Sequence, residues 1–485
     1  MKCKFIIPCA FLSAMLLTIA GCSPKPMDEE TVEAFKEELF SQYEEGIYGN
    51  IFMPEELNGA SISWKSSDEE VINSKWDGEK APGVVTRYAE DIEVTLTANI
   101  KKDGTAAKIE EKVTVKAAVP EVYDNDYVGY LFCHFTGQEG STTDEQIYFA
   151  LADEGQGLKF TDMSSSPALT SNVGDKGVRD PFIYRSPEGD TYRIIGTDLS
   201  VKNRGGWTTN HNYTKKGSHS ITLWESHDLK TWSEPRLIEV AAPEAGMAWA
   251  PEMIYHEETG QYLIYFSSTI CNEEKTDILE RDCIYYTTTR DFVHFSETKK
   301  FFKNQKYPEG QKDTQGEQRD TPNADNTLRK IIDASVIKIG DWYYLAAKDG
   351  DNHENYGGIL ISRTKDLFDV DSWDEDFQYH LTDLGLSARV DLNNKQLEGP
   401  EWFYYNAADR GNDPERLGLM GDMYMNGQGY LPLSTTDIED RNNSKNSWKV
   451  LGDSDYSWTG LKKRHGSIMR LTREEIAAVK EFYNK

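Results

Sequence analysis

Cysteine is scarce in this 485-residue chain, with six in all. No Cys-x-x-Cys pair occurs, and no cysteine joins histidines at zinc-type spacing, so a zinc module is not expected. Basic charge is also short. Lys and Arg total 53 against 82 Asp and Glu, a net charge of −29. That balance argues against a nucleic-acid partner, whose phosphates need a basic face. Beyond residues 5–20 no apolar run approaches transmembrane length. A glycine-rich phosphate loop and a nucleophile elbow are both missing. What the chain does hold is 38% hydrophobic residues, with aromatics at 12% of the chain. That suffices for real cores, and the length exceeds one typical domain.

The first 22 residues read as an export signal rather than structure. Lys2 and Lys4 precede the apolar run, which ends in Ile19-Ala20-Gly21-Cys22. A cysteine directly after Ala-Gly resembles the lipobox of bacterial lipoproteins. The resemblance implies cleavage before Cys22, acylation of its thiol and a lipid-anchored place in the bacterial cell envelope. A plain secretory signal or an uncleaved anchor is the competing reading. In an exported chain Cys271 and Cys283, which flank a polar loop, are a candidate disulfide. Cys133 sits in an apolar run and reads as a buried small hydrophobe.

Residues 23–121 read as a tether, a short helix and a small β-sandwich. Val32, Phe35, Leu39 and Tyr43 recur at helical steps. From about residue 50 the pattern turns to strand alternation, as in Val94-Thr95-Leu96-Thr97-Ala98, broken by turn residues. This stretch resembles a bacterial Ig-like module.

Residues 122–485 carry a repeat. Five short strands run into Asp153, Asp228, Asp291, Asp366 and Asp437, spaced 63–75 residues apart. An aromatic follows each: Phe160, Trp232, Phe295, Trp373 and Trp448. Five such units of strands and turns predict an all-β, five-bladed propeller. The aspartates read as turn caps and the aromatics as packing between blades, not as functional groups. The first repeat lacks an inner strand. The run His465-Gly466-Ser467-Ile468-Met469-Arg470-Leu471 is expected to supply it and close the ring, with a short helix after it.

Inner strands of a propeller line its hub, so acids that open them should converge. Here those acids are Asp180, Glu252, Asp333 and Glu398. Acids buried together must neutralise, pair or bind something. Glycoside hydrolysis needs such a set: one neutral carboxyl to protonate the leaving oxygen and one carboxylate to activate water.

Arg179-Asp180-Pro181-Phe182, Trp249-Ala250-Pro251-Glu252, Ile332-Asp333, Glu398-Gly399-Pro400 and His465-Gly466 follow one another at blade-like spacing. Together they resemble glycoside hydrolase family 43. The resemblance implies an inverting enzyme, with Asp180 as general base, Glu398 as general acid and Asp333 holding the acid and raising its pKa. Asp333 precedes Ala334 where a proline is common in that family. An inverting pair stands about 6.5–9.5 Å apart. Trp249 is then a sugar-stacking candidate or core, Glu252 a binding candidate, and His465 either structural or a ligand to water or a channel calcium. No cofactor is required for the chemistry.

The expected substrate is an α-L-arabinofuranoside of plant polysaccharide. A β-xyloside, a non-catalytic sugar-binding lipoprotein and a protein-interaction propeller are the alternatives. His211 and His219 lack metal-type spacing, and residues 303–330 read as a long surface loop able to rim the cleft.

Overall fold

A computed structural model describes residues 24–78, 80–207, 212–307, 309–313, 321–350, 358–386, 397–423 and 429–483. Cys22 with its signal, and His211, lie outside the described residues. No described helix is long and apolar enough to cross a membrane.

The N-terminal unit opens with helix α1 (Glu29–Phe40), capped by Asp28, whose side chain accepts from the Thr31 N–H at 2.9 Å. Phe35, Leu39 and Phe40 form its buried stripe. They join the core face of a five-stranded sheet whose spatial order is Lys25–Pro26, Thr105–Val115, Ile92–Lys102, Ala60–Ser66, Glu56–Leu57. The helix and irregular segments that meet at the Ile72–Val85 bridge supply the second layer of this reduced Ig-like unit.

The described residues of the rest of the chain form five sheets of four or five strands. We number the blades by their inner strands: Val178–Arg185, Trp249–His256, Ile331–Ile339, Leu397–Tyr404 and Gly466–Thr472. Each inner strand touches the next, and the fifth touches the first, so the ring is closed. Closure comes from the C-terminal strand, which pairs antiparallel with Tyr127–His134 in blade 5. Helix α2 (Arg473–Tyr483) packs outside this seam through Ile476 and Val479. Its Glu475 binds Arg185 of blade 1 at 2.7–2.8 Å.

The recurrent aspartates cap turns. Asp228 accepts from the N–H groups of Lys230 and Thr231, and Asp291 from those of Val293 and His294. Trp373 of blade 3 donates its indole N–H to the Phe301 carbonyl of blade 2 at 2.8 Å. Cys271 and Cys283 are free and buried. The sheet register sets Cys271 opposite Ile278 and Cys283 opposite Ser268, so the bridge considered from the sequence does not form.

Inner strands of neighbouring blades share no backbone ladder, so side-chain hydroxyls take up their N–H groups at all five junctions. Thr197 accepts from Ala250, Ser267 from Asp333, Ser335 from Trp402, Tyr430 from Gly466 and Ser467 from Ile183, at 2.7–3.0 Å.

The N-terminal unit docks at the far ends of inner strands 1 and 2 and on the loops after the third strands of those blades, Ser220–Ser226 and Ile278–Thr289. Arg87 pairs with Asp190 at 2.6–2.9 Å, and Asn50 donates to the Tyr255 hydroxyl at 3.1 Å. Tyr48 stacks on His227 and Phe52 on His294, with ring centroids 3.8 and 3.9 Å apart.

Ser467→Ala leaves the buried Ile183 N–H without its acceptor. The expected loss is about 1–3 kcal/mol of stability in a urea unfolding titration. No change would mean that the hydroxyls do not hold the ring.

Candidate active site

Blades 1 to 4 share one local device. In each, two residues of the inner strand oppose a single residue of the second strand. The first of the two has a left-handed backbone: Asp180 (φ 50°), Ala250 (φ 46°), Asp333 (φ 53°) and Gly399 (φ 51°). This is a β-bulge of the type that usually asks for glycine, and it re-aims a side chain at a sheet end. Two of the four positions carry aspartate, the non-glycine type that with asparagine best tolerates this conformation.

The bulges revise one expectation. The four acids do not occupy equivalent places. Asp180 and Asp333 are equivalent, Glu398 lies one residue before its bulge, and Glu252 lies two residues after the equivalent point. Asp180, Asp333 and Glu398 line one cavity of about 400 Å³ with Glu139, Arg179, Trp207, Trp249, Arg464 and His465. Glu252 is not among the lining residues. It sits a layer deeper, hydrogen-bonded to the Tyr265 hydroxyl at 2.9 Å and to Glu401, its equivalent in blade 4. Burial pushes Glu252 up to about 7 and Glu401 well above the carboxylate range, so the pair holds a proton. A larger cleft, about 780 Å³, lies between the N-terminal unit and blades 1 and 2. It holds none of the three acids.

The three acids are partners of different groups. Thr197 donates to Asp180 at 2.9 Å while accepting from the Ala250 N–H. The His465 imidazole meets Asp180 at 3.3 Å. Asp333 accepts from the Gly399 N–H at 3.2 Å, which links it to the strand carrying Glu398. Arg464 stands 3.6 Å from Glu398 and is held by buried Asp422.

These surroundings separate the ionisation states. Burial alone would raise Asp180. Contact with His465, the Arg179 charge and the Thr197 hydroxyl outweigh it and hold Asp180 below the usual carboxylate value. For Glu398, burial and then the charges of Asp333 and Asp422 push it up to about 8. Burial likewise raises Asp333, so the coupled Asp333–Glu398 pair holds a proton. Burial opposes charge on His465, yet Asp180 pushes it up to about 9. One anionic acid and one neutral acid therefore face the same cavity at neutral pH.

A family model described as "Probable glycosyl hydrolase domain", a family 43-related group, matches residues 125–477. This chain belongs to that family. A second model, the atrophied bacterial Ig domain, matches residues 36–118 of this glycosyl hydrolase. An α-L-arabinofuranosidase of Bifidobacterium longum subsp. longum is 29% identical to it over 431 residues. The match covers 81% of this chain and 36% of the relative, so the chain spans about a third of that protein's length. Among solved structures, the Cellvibrio cellulosa α-L-arabinanase is similar at 14% identity, covering 71% of this chain and 99% of that one, with a TM-score of 0.40. The native Bacillus subtilis arabinanase is similar at 17% identity, covering 62% and 82%, with a TM-score of 0.32.

Among the described residues no group of three His, Cys, Asp or Glu side chains is arranged to hold a metal. None of the described residues of 303–330 lines the cavity. Thr321 and Asn326 are buried there, with Asn326 accepting from Arg281 of blade 2. Trp249 does line the cavity, and His219 belongs to no metal grouping. Glu139, Trp207 and Asp422 escaped sequence reasoning because they sit outside the repeated inner-strand motif. Arg464 adjoined His465 and was legible in principle.

The raised value of Glu398 has two measurable consequences. The alkaline limb of kcat/KM on a substrate with a poor leaving group should fall near pH 8. A limb near pH 5 would exclude Glu398 as the proton donor. The folded value also lies above the unfolded one, so stability from this group is present at low pH and is lost as pH rises through about 8. Glu398→Gln should therefore raise Tm relative to the wild type above pH 8, measured by calorimetry across pH 5–9.

Proposed function

We propose that this protein hydrolyses α-L-arabinofuranosides with inversion at the anomeric carbon. The observation that carries the reading is the split ionisation of Asp180 and Glu398 across one cavity. The arabinofuranosidase relative supports the choice of sugar. Neutral Glu398 gives its proton to the glycosidic oxygen as the bond to the anomeric carbon breaks. Asp180 takes a proton from a water that attacks the opposite face of the sugar. The products are the free sugar and an alcohol. Asp180 ends protonated and Glu398 ionised, and exchange with solvent resets both. Asp333 touches neither transferred proton. It positions the acid through Gly399 and disfavours its ionisation. Both proton transfers are supplied by the chain, so the proposed reaction uses no cofactor. A sugar-binding protein without turnover would have no need for two acids held in opposite states.

The N-terminal run supports a lipid anchor at Cys22. On that reading the tether leaves from the unit docked opposite the cavity, which faces the cavity away from the membrane of the cell envelope.

Nitrophenyl α-L-arabinofuranoside should be cleaved faster than the β-xyloside, and NMR of the first product should show the inverted anomer. Asp180→Asn should lower kcat by about 10²–10⁴-fold on every substrate. Glu398→Gln should cost as much on arabinan fragments and much less on the nitrophenyl substrate, whose leaving group needs little acid help. Full activity of Glu398→Gln on arabinan fragments would overturn the assignment. Cys22→Ser should move the protein from the membrane to the soluble fraction, and unchanged membrane retention would remove the anchor.

A further inference from the structure

Trp207 is 52% exposed, although it lines the catalytic cavity. Its indole is fixed from several sides. The ring N–H donates to Glu139 at 2.9 Å. The Tyr213 ring lies 4.8 Å away, and Trp249 meets it edge-on at 6.3 Å with the planes 80° apart. The Arg179 guanidinium sits 5.4 Å from the ring centroid. These supports are themselves anchored. Arg179 pairs with Glu139 and with fully buried Glu145 at 2.8–2.9 Å. Glu145 in turn accepts from the Ser200 hydroxyl and the Val201 and Lys202 N–H groups, in the loop that leads to Trp207. The Tyr213 hydroxyl donates to Gly206, the residue before Trp207, at 2.6 Å.

Folding normally hides a large apolar ring or leaves it free to move. Fixing one in water forgoes the burial gain, about 25 cal/mol per Å², and adds an ordering cost. The arrangement makes sense if a ligand completes it. A sugar ring offers a flat patch of C–H groups that an indole face can cover, with hydroxyls at its edge for groups such as Glu139 and Arg179.

We propose that Trp207 is the stacking platform for a second sugar unit of the substrate, next to the one held at Asp180, Asp333 and Glu398. The inference rests on the glycosidase reading and adds to it a preference for saccharides of at least two units. The second unit lies either on the leaving-group side or on the released side, and both present the same apolar face.

Binding is best measured by calorimetry in the Glu398→Gln background, in which cleavage of saccharides is expected to be slowed. The ligands are mono-, di- and trisaccharides of the arabinofuranose and xylose series. The second unit is expected to tighten binding by about tenfold, and Trp207→Ala to erase most of that gain. Trp207→Phe should restore part of it, which a general loosening of the loop would not allow. Disaccharides with the second unit methyl-capped at one end or the other separate the two sides. An equal gain with and without Trp207 would overturn the platform while leaving the glycosidase reading intact. So would a lower Tm for Trp207→Ala with no change in the chain-length dependence. If wild-type protein cleaves neither series and no monosaccharide binds, the glycosidase reading falls first and the platform with it.

Discussion

The inner strand of each blade has one edge facing the hub, where no further strand can pair. Its N–H groups must still find acceptors, because a buried unpaired N–H costs as much as a lost hydrogen bond. In this protein the preceding blade answers with a hydroxyl: Thr197, Ser267, Ser335, Tyr430 or Ser467. The chemistry depends on that solution. Thr197 and Ser267 fix the bulges of blades 2 and 3, and Thr197 spends its own proton on Asp180. A single threonine thus joins two blades and helps keep Asp180 ionised.

The bulges sort the acids of the hub. Asp180 and Asp333 project from the strained residue itself, whereas Glu398 precedes Gly399, whose missing Cβ would lie 2.7 Å from the His465 ring. A side chain at Gly399 would displace the imidazole that holds Asp180 anionic. The fourth residue of the same motif points deeper, and there Glu252 and Glu401 share a proton out of reach of the cavity. Similar acids therefore take up different states within one hub, decided by depth and by cationic neighbours.

The N-terminal unit is bound to the propeller by an ion pair, two ring stacks and hydrogen bonds on the face away from the cavity. Those contacts fix its direction relative to the cavity. Arg87 and Asp190 are both partly buried, and the pair is bidentate, which favours a defined docking over a loose tether.

Much was legible in the chain itself. The recurring aspartate and aromatic announced five blades, because each blade needs the same turn cap and the same inter-blade wedge. The ordered motifs named Asp180, Asp333 and Glu398, and the orphan strand at 465–471 announced how the ring closes. These are local or periodic demands, and the sequence by itself determined them. Only the tertiary structure decided that Glu252 leaves the site, that Trp207, Glu139 and Arg464 enter it, and that Cys271 and Cys283 stay apart. A one-residue bulge shifts which side chain faces the hub, and an ionisation state depends on charges brought in from other blades. Neither is encoded in any single stretch of chain.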